Sequence, residues 1–466
     1  MDTWLMLCRV LAMSMLLATL ICCRWAKGSA ATKIPYWISV GMLSLYGCYC
    51  FFGLEFGNGQ SGWAELGLSA MVAVTAIGFG LGSWRERRKK IHSSSVVWPL
   101  MPRCSGLFTL LAMFAALAFF TVLTNGQPWR VLTDGVELKW DRLAAATDKD
   151  ASLLLMDAVV FASVLIGLSW AIIGYRDDRQ SAVQLGVFAA LALLYIVSTG
   201  SRTPLIAVGL QIVGAVAYGR HNSRLISKVA ESSGLILLAG LVALVFMIAI
   251  TASRIEFEQL DSAVFETYFD IRKLGVVEPL TQKGPVGFFL ATIITYAAST
   301  YNNAIIRLQE LDAVSLSYGY KFVFFYISAL RGSTGDVLEE PLTAWRELAT
   351  VNNLHLLGVA ASATQWATLY GDAIWDFGYP ITVVLVMAIS YLSGGVIERA
   401  KHRPTLSLHL LAITVIGFSL SPLVNPFLSL HVHFMLFIVG GIHLVARKSH
   451  RPRRRRLSIS SAVGTT

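Results

Sequence analysis

The chain has 466 residues, 55% hydrophobic and only 14% charged, with a mean hydropathy of +0.62. A water-soluble domain is about 25% charged, so this composition excludes a fold with a wholly water-facing shell. The formal charge of +10 would suggest nucleic acid in a soluble protein; here the positive-inside rule accounts for it, and no nucleic-acid partner is expected.

Apolar runs of about 20 residues recur along the chain, each long enough to cross a hydrocarbon core about 30 Å thick. Eleven spans are predicted, at roughly 4–23, 35–54, 65–84, 105–124, 153–173, 183–200, 204–219, 233–252, 379–397, 405–422 and 428–446. The first run lacks a basic lead and a small-residue cleavage site, so it reads as a retained span and not as a signal peptide. Basic residues follow alternate spans: Arg85 to Lys90, then Arg176 and Arg179, then Arg220, Arg224 and Lys228, then Arg399, Lys401 and Arg403, and finally the RPRRRR tail. Those connections are therefore expected in the cytoplasm, with the N-terminus outside and the C-terminus inside. Residues 1–447 read as one all-α, polytopic membrane domain. Residues 448–466 read as a disordered basic tail, attracted to anionic lipid by about 1 kcal/mol per nearby basic residue.

The opposite face holds segments at about 125–152 and 253–378. The larger carries eight Lys/Arg against fourteen Asp/Glu and so is net acidic. Within it, 286–300 and 321–330 are apolar but short. They suit re-entrant or interfacial helices, or one extra hairpin that would raise the count to twelve or thirteen. The six cysteines, Cys8, Cys22, Cys23, Cys48, Cys50 and Cys104, lie in or beside apolar runs without a C-x-x-C pair. They read as small packing residues, with no metal site and no cofactor expected.

Ionisable groups at the membrane edge are costly and so are candidates for function. Four outer clusters stand out. Arg202, in the tight turn STGSRTPL (198–205), sits beside a helix start, where dipole and guanidinium both favour an anion, although a snorkelling role suits it equally. Arg254 follows the eighth span, with Glu258 one turn on as a ready partner. Tyr301, Asn302 and Asn303, with Arg307 and later Arg331, Arg346 and His355, offer polar side chains of the kind that bind sugar hydroxyls; a solvated loop face is the alternative. In QWATLYGDAIWDFGYP (365–380), Asp372 and Asp376 share a face if helical, among Trp366, Tyr370, Trp375, Phe377 and Tyr379. These aromatics read as a boundary belt that also suits sugar rings. A carboxylate among them could act as a general base, or one Asp could simply cap or end a helix before Gly378 and Pro380.

No nucleotide-binding G-x-x-x-x-G-K-[ST] loop, H-E-x-x-H or G-x-S-x-G occurs, which argues against an ATP-driven pump, a zinc protease and an α/β hydrolase. Arg9 and Asp157 are the main charges inside spans, fewer than a proton-coupled transporter would be expected to carry.

The turn GSRTPL, the long outer loop and the element YGDAIWDFGYP before a late span resemble the O-antigen and oligosaccharide repeat-unit polymerases of the Wzy type, over about residues 183–400. Pro380 departs from the family's usual small or apolar residue, and Gly214 lies one residue too far from Arg202 for an R-x(10)-G element. The resemblance implies a GT-C-like helix bundle in a bacterial inner membrane, acting at the periplasmic face. A glycan on undecaprenyl pyrophosphate would be transferred to an incoming lipid-linked repeat unit without nucleotide sugar. Arg202 would stabilise the leaving pyrophosphate, with Arg254, Arg307, Arg331 and Arg346 behind it. Asp376, Asp372 or His355 would serve as base, and Tyr301, Asn302 and Tyr370 would bind sugar. A chain-length regulator and a flippase are the implied partners, beside membrane lipid and the glycan donor and acceptor. An O-antigen ligase shares this architecture; a non-catalytic exporter or flippase and a membrane scaffold are the readings from other classes.

Overall fold

The structure is a computed structural model describing residues 3–26, 30–56, 61–88, 105–124, 126–127, 130, 151–176, 182–199, 271–309, 368–402, 406–416 and 439–441. In chain order these form α1 (Thr3–Trp25), α2 (Ala30–Phe51), β1 (Glu55–Phe56), α3 (Gly62–Arg88), α4 (Ser105–Leu123), α5 (Ala151–Arg176), α6 (Ala182–Thr199), β2 (Ile271–Lys273), a 3-10 turn (Gly275–Val277), the short α7 (Glu278–Thr281), α8 (Gly284–Gln309), α9 (Leu369–His402) and α10 (Leu406–Ile416). Thr3–Trp25, Lys33–Phe51, Gly62–Arg88 and Leu369–Ala400 are long and apolar enough to cross a membrane. The chain is a helical membrane protein. The predicted spans at 204–219 and 233–252, most of that at 428–446 and the basic tail lie outside the described residues.

Apolar residues face outward on these helices. Met6, Leu7, Val10, Leu11, Leu17 and Ile21 of α1 are all exposed, as are Val384 and Leu392 of α9. That is the pattern for a solvent of lipid tails, which are as apolar as the side chains they touch.

Exposed tryptophans mark both ends of this band. Trp4 of α1 and Trp63 of α3 pack ring to ring at 5.4 Å. Trp25 and Trp84 stand at the far ends of the same two helices, and all four are exposed. Each pair is 21 positions apart, about 31 Å of helix, close to one hydrocarbon thickness, and tryptophan favours the two membrane boundaries. We call these the Trp63 end and the Trp84 end.

The tightest packing joins α3 to α9 through glycines. A Cβ on Gly78 would come 2.8 Å from the Met387 carbonyl and from the Ser390 Cβ. One on Gly82 would run into the Tyr391 carbonyl, and one on Gly394 into that of Phe79. Gly78 and Gly82 form a G-x-x-x-G pair whose missing side chains let the backbones touch, which substitutes for the hydrophobic drive that lipid removes. At the Trp84 end the contact turns ionic. Arg399 donates to Glu86 at 2.6 Å, while Glu398 lies 3.6 Å from Arg87 and accepts from Ser83 at 2.8 Å. The basic residues that close α3, Arg85, Arg87 and Arg88, thus sit at the same end of the bundle as Arg399 of α9.

A second cluster unites α4, α5 and α6, with Phe119, Phe161, Phe188 and Tyr195 at its centre. Its one expected charge, Asp157, accepts from the Tyr195 hydroxyl at 2.6 Å. Helix α10 joins the clusters, giving Leu408 and Ala412 to one and Leu410 to the other. The α2–α3 connection pairs through β1 with β2, Glu55 opposite Lys273, so residues 271–273 lie at the Trp63 end.

The stretch 286–300 is part of one continuous helix, α8, of 26 residues. Its polar second half is the reason it looked too short: Ser299, Thr300, Asn302, Asn303 and Arg307 interrupt the apolar run, yet all are buried against other helices.

Candidate functional site

The YGDAIWDFGYP element is not a straight entry to its span. Helix α9 breaks at Gly378, whose φ of 75° and ψ of 166° lie in a region open essentially to glycine alone. Pro380 then occupies the first turn of the restarted helix, where its fixed φ and absent N–H do no harm.

The break reverses the chain. The Tyr379 hydroxyl donates to the Gly67 carbonyl at 3.4 Å, near the Trp63 end of α3. The Tyr370 hydroxyl instead meets that of Thr75 at 3.0 Å, eight residues, or about 12 Å, further along α3. A straight helix would carry Tyr370 the other way, out beyond Trp63. Residues 369–377 therefore run back into the bundle, and Tyr370 lies near mid-membrane depth. Their helix starts there on a buried cap: the Thr368 hydroxyl accepts from the Gly371 N–H at 3.0 Å, satisfying a backbone donor that lipid could not.

Asp372 and Asp376 lie one turn apart on this segment, and 3% and 0% of their surfaces are exposed. Arg307 of α8, itself 4% exposed, forms an ion pair with Asp372, and its guanidinium carbon lies 5.4 Å from the Trp375 ring centroid. The pair spans 65 residues of sequence and joins two of the four predicted clusters. Asp372 thus holds Arg307 in place. Tyr370 and Trp375 are fully buried, which corrects their reading as a boundary belt: they face the bundle because the segment folds inward.

Tyr301, Asn302, Asn303 and Arg307 are buried on α8 and not on a solvated loop. Tyr301 packs between Tyr46 at 5.3 Å and Tyr49 at 5.4 Å. Those two tyrosines belong to a cluster that sequence reasoning missed. Glu65 of α3, fully buried, accepts from Arg9 of α1 at 3.1 Å and from the Tyr46 hydroxyl at 2.8 Å. Arg9 also stands 5.8 Å from the Tyr49 ring centroid. Among the described residues, the Tyr301 hydroxyl, Arg307 Nε and Arg9 Nη2 are buried with no hydrogen-bond partner. A usable signal was present: Arg9 and Glu65 are opposite charges near the same ends of two parallel spans, five residues in from Trp4 and two in from Trp63, and charges at membrane depth favour pairing with one another.

The buried polar residues thus form two groups that share α8: Arg9, Glu65 and Tyr46 around Tyr301, and Asp372 with Arg307, the second reaching from the Trp63 end toward mid-depth. Arg202, Arg254, Arg331, Arg346 and His355 lie outside the described residues. The described residues contain no group of three or more His, Cys, Asp or Glu placed to hold a metal. Compared with known protein families, curated proteins and solved structures, the chain matches none.

Proposed function

We propose that this chain is a polymerase of lipid-linked oligosaccharide repeat units, acting at the outer face of a bacterial inner membrane. The observation that carries the reading is the Arg307–Asp372 pair, which brings the DFG-bearing element and the Tyr–Asn–Arg helix into one buried polar layer. That layer runs from the Trp63 end, opposite the basic residues that close α3, toward mid-depth. If the positive-inside rule holds, the layer faces the periplasm, with the N-terminus outside and eleven or more spans in a GT-C-like bundle.

In the reaction an acceptor sugar hydroxyl attacks the anomeric carbon of the donor glycan. The bond from that carbon to undecaprenyl pyrophosphate breaks, and the lipid pyrophosphate leaves with the electron pair. The hydroxyl proton passes to a carboxylate, for which Asp376 is the candidate, buried one turn from the Arg307-bound Asp372. The developing pyrophosphate charge calls for a fixed guanidinium, and Arg202 is the first choice because the sequence around it, STGSRTPL, reads as an outer turn.

Purified protein in nanodiscs, given undecaprenyl-pyrophosphate-linked repeat units and no nucleotide sugar, should yield a ladder of lengthened glycans. Arg202→Ala and Asp376→Asn should abolish the ladder while the protein still inserts. Wild-type ladders from both variants would remove the residue assignments. Transfer only to a different lipid acceptor would favour the ligase reading. A tag within 253–378 found facing the cytosol would overturn the scheme.

A further inference from the structure

We propose that residues 369–377 form a re-entrant gate, hinged at Gly378, that closes the polar layer and must swing aside before any hydrophilic molecule reaches Asp376. Taking that layer as the site rests on the functional reading above; the gate itself rests on geometry.

Three observations converge on this. The segment is sealed: Tyr370, Asp372, Ile374, Trp375 and Asp376 are each at most 3% exposed. Side-chain latches tie it to two different helices, Asp372 to Arg307 on α8 and Tyr370 to Thr75 on α3. It is joined to its own span through Gly378, where a backbone open to both signs of φ lets direction change without breaking either helix. A segment built only to fill the core would gain nothing from an ion pair, because apolar residues of similar volume fill a buried site at least as well. A charged latch is the device that holds one closed geometry and releases it when a competing charge enters. A lipid-borne diphosphate is such a charge, and it would compete with Asp372 for the guanidinium of Arg307.

The test reads opening without reference to catalysis. The full chain, with its six native cysteines replaced, carries a single Ala373→Cys and is placed in nanodiscs, where both faces meet the reagent. The rate of modification by a charged, lipid-insoluble maleimide is measured, with Ala400→Cys as a second buried position at the Trp84 end. Ala373→Cys should react slowly. Asp372→Asn should speed it by at least about tenfold, since one partner of a buried pair is lost. Tyr370→Phe, the milder change, should speed it about fivefold, since one hydrogen bond is lost. Gly378→Ala, which strains the closed backbone, should speed it as well. Ala400→Cys should stay slow throughout. Inorganic pyrophosphate at millimolar concentration, the probe for the competing charge, should also raise the Ala373→Cys rate.

Unchanged labelling in both Asp372→Asn and Tyr370→Phe would overturn the gate. So would a parallel rise at Ala373→Cys and Ala400→Cys in Tyr370→Phe, because the loosening would then not be local. Acceleration by the variants but not by pyrophosphate would overturn charge competition as the trigger. A chain that opens as described yet makes no polymer would keep the gate and defeat the functional reading.

Discussion

Replacing Asp372 with Asn leaves the Arg307 guanidinium charged at 4% exposure with its carboxylate gone. Breaking one side of a buried pair costs about 3–5 kcal/mol. The Trp375 face, 5.4 Å away, returns about 0.5–2 kcal/mol as a cation–π contact it already makes, so it does not replace the lost charge. The expected loss is therefore about 3 kcal/mol. Removing both charges together, as Arg307→Met with Asp372→Leu, should restore stability to within about 1 kcal/mol of wild type, because well-packed apolar side chains of similar size replace buried ions without penalty. In the cycle of wild type, Arg307→Met, Asp372→Leu and the double variant, two single losses of about 3 kcal/mol each and a double loss within about 1 kcal/mol give a coupling of about 5 kcal/mol between the two positions. Unfolding of the purified protein in mixed micelles, followed by helicity and by the intrinsic signal of its tryptophans, measures all four forms. A loss under about 0.5 kcal/mol for Asp372→Asn, or additive effects in the double variant, would refute a buried, mutually dependent pair.

Other outcomes follow from the same geometry. Glu65→Gln should destabilise less than Asp372→Asn, because the Arg9 side chain retains 16% exposure and a path to the Trp63 end; the same micelle titration ranks them. Gly82→Ala should cost about 1–3 kcal/mol by driving a Cβ into the Tyr391 carbonyl. Gly80→Ala, two residues away with nothing within 4 Å, should be neutral or gain up to about 1 kcal/mol of helix propensity; equal effects at both positions would contradict the packing of α3 on α9. Spin labels at Trp63→Cys, Ile77→Cys and Trp84→Cys, all exposed positions, should show greatest oxygen accessibility at Ile77, and a maximum at either tryptophan would displace the proposed membrane boundaries.

How much of this was written in the sequence depends on what each residue had to report. The spans at 4–23, 35–54, 65–84 and 379–397 reappear in α1, α2, α3 and α9, each long and apolar enough to cross a membrane, because an unbroken apolar run in lipid has one stable backbone choice, the helix. The lipid-facing and helix-facing sides of α1 or α3 were less legible, since both are apolar. For α3 the GFGLG run (78–82) was the available clue, as small residues four apart mark where backbones meet. Helix α8 was hidden for the opposite reason. Its hydropathy is diluted by Asn302, Asn303 and Arg307, and a linear scan cannot know that Asp372 lies 65 positions later to receive the arginine. The reversal at Gly378 was equally invisible: the D-F-G-Y-P string shows that a helix is interrupted there, but only the hydrogen bonds to Gly67 and Thr75 say which way the interrupted piece goes.

The matched tryptophan spacing on α1 and α3 has a consequence for where the protein can live. Two parallel helices of equal apolar length, clasped by Arg9–Glu65 and by the Trp4–Trp63 contact, cannot tilt independently to suit a thicker or thinner sheet of lipid. Mismatch must then be taken up by the surrounding acyl chains, at a fraction of a kcal/mol per Å. The bundle is thus tuned to a hydrocarbon layer near 30 Å, and enrichment in membranes of that thickness would follow from its shape alone.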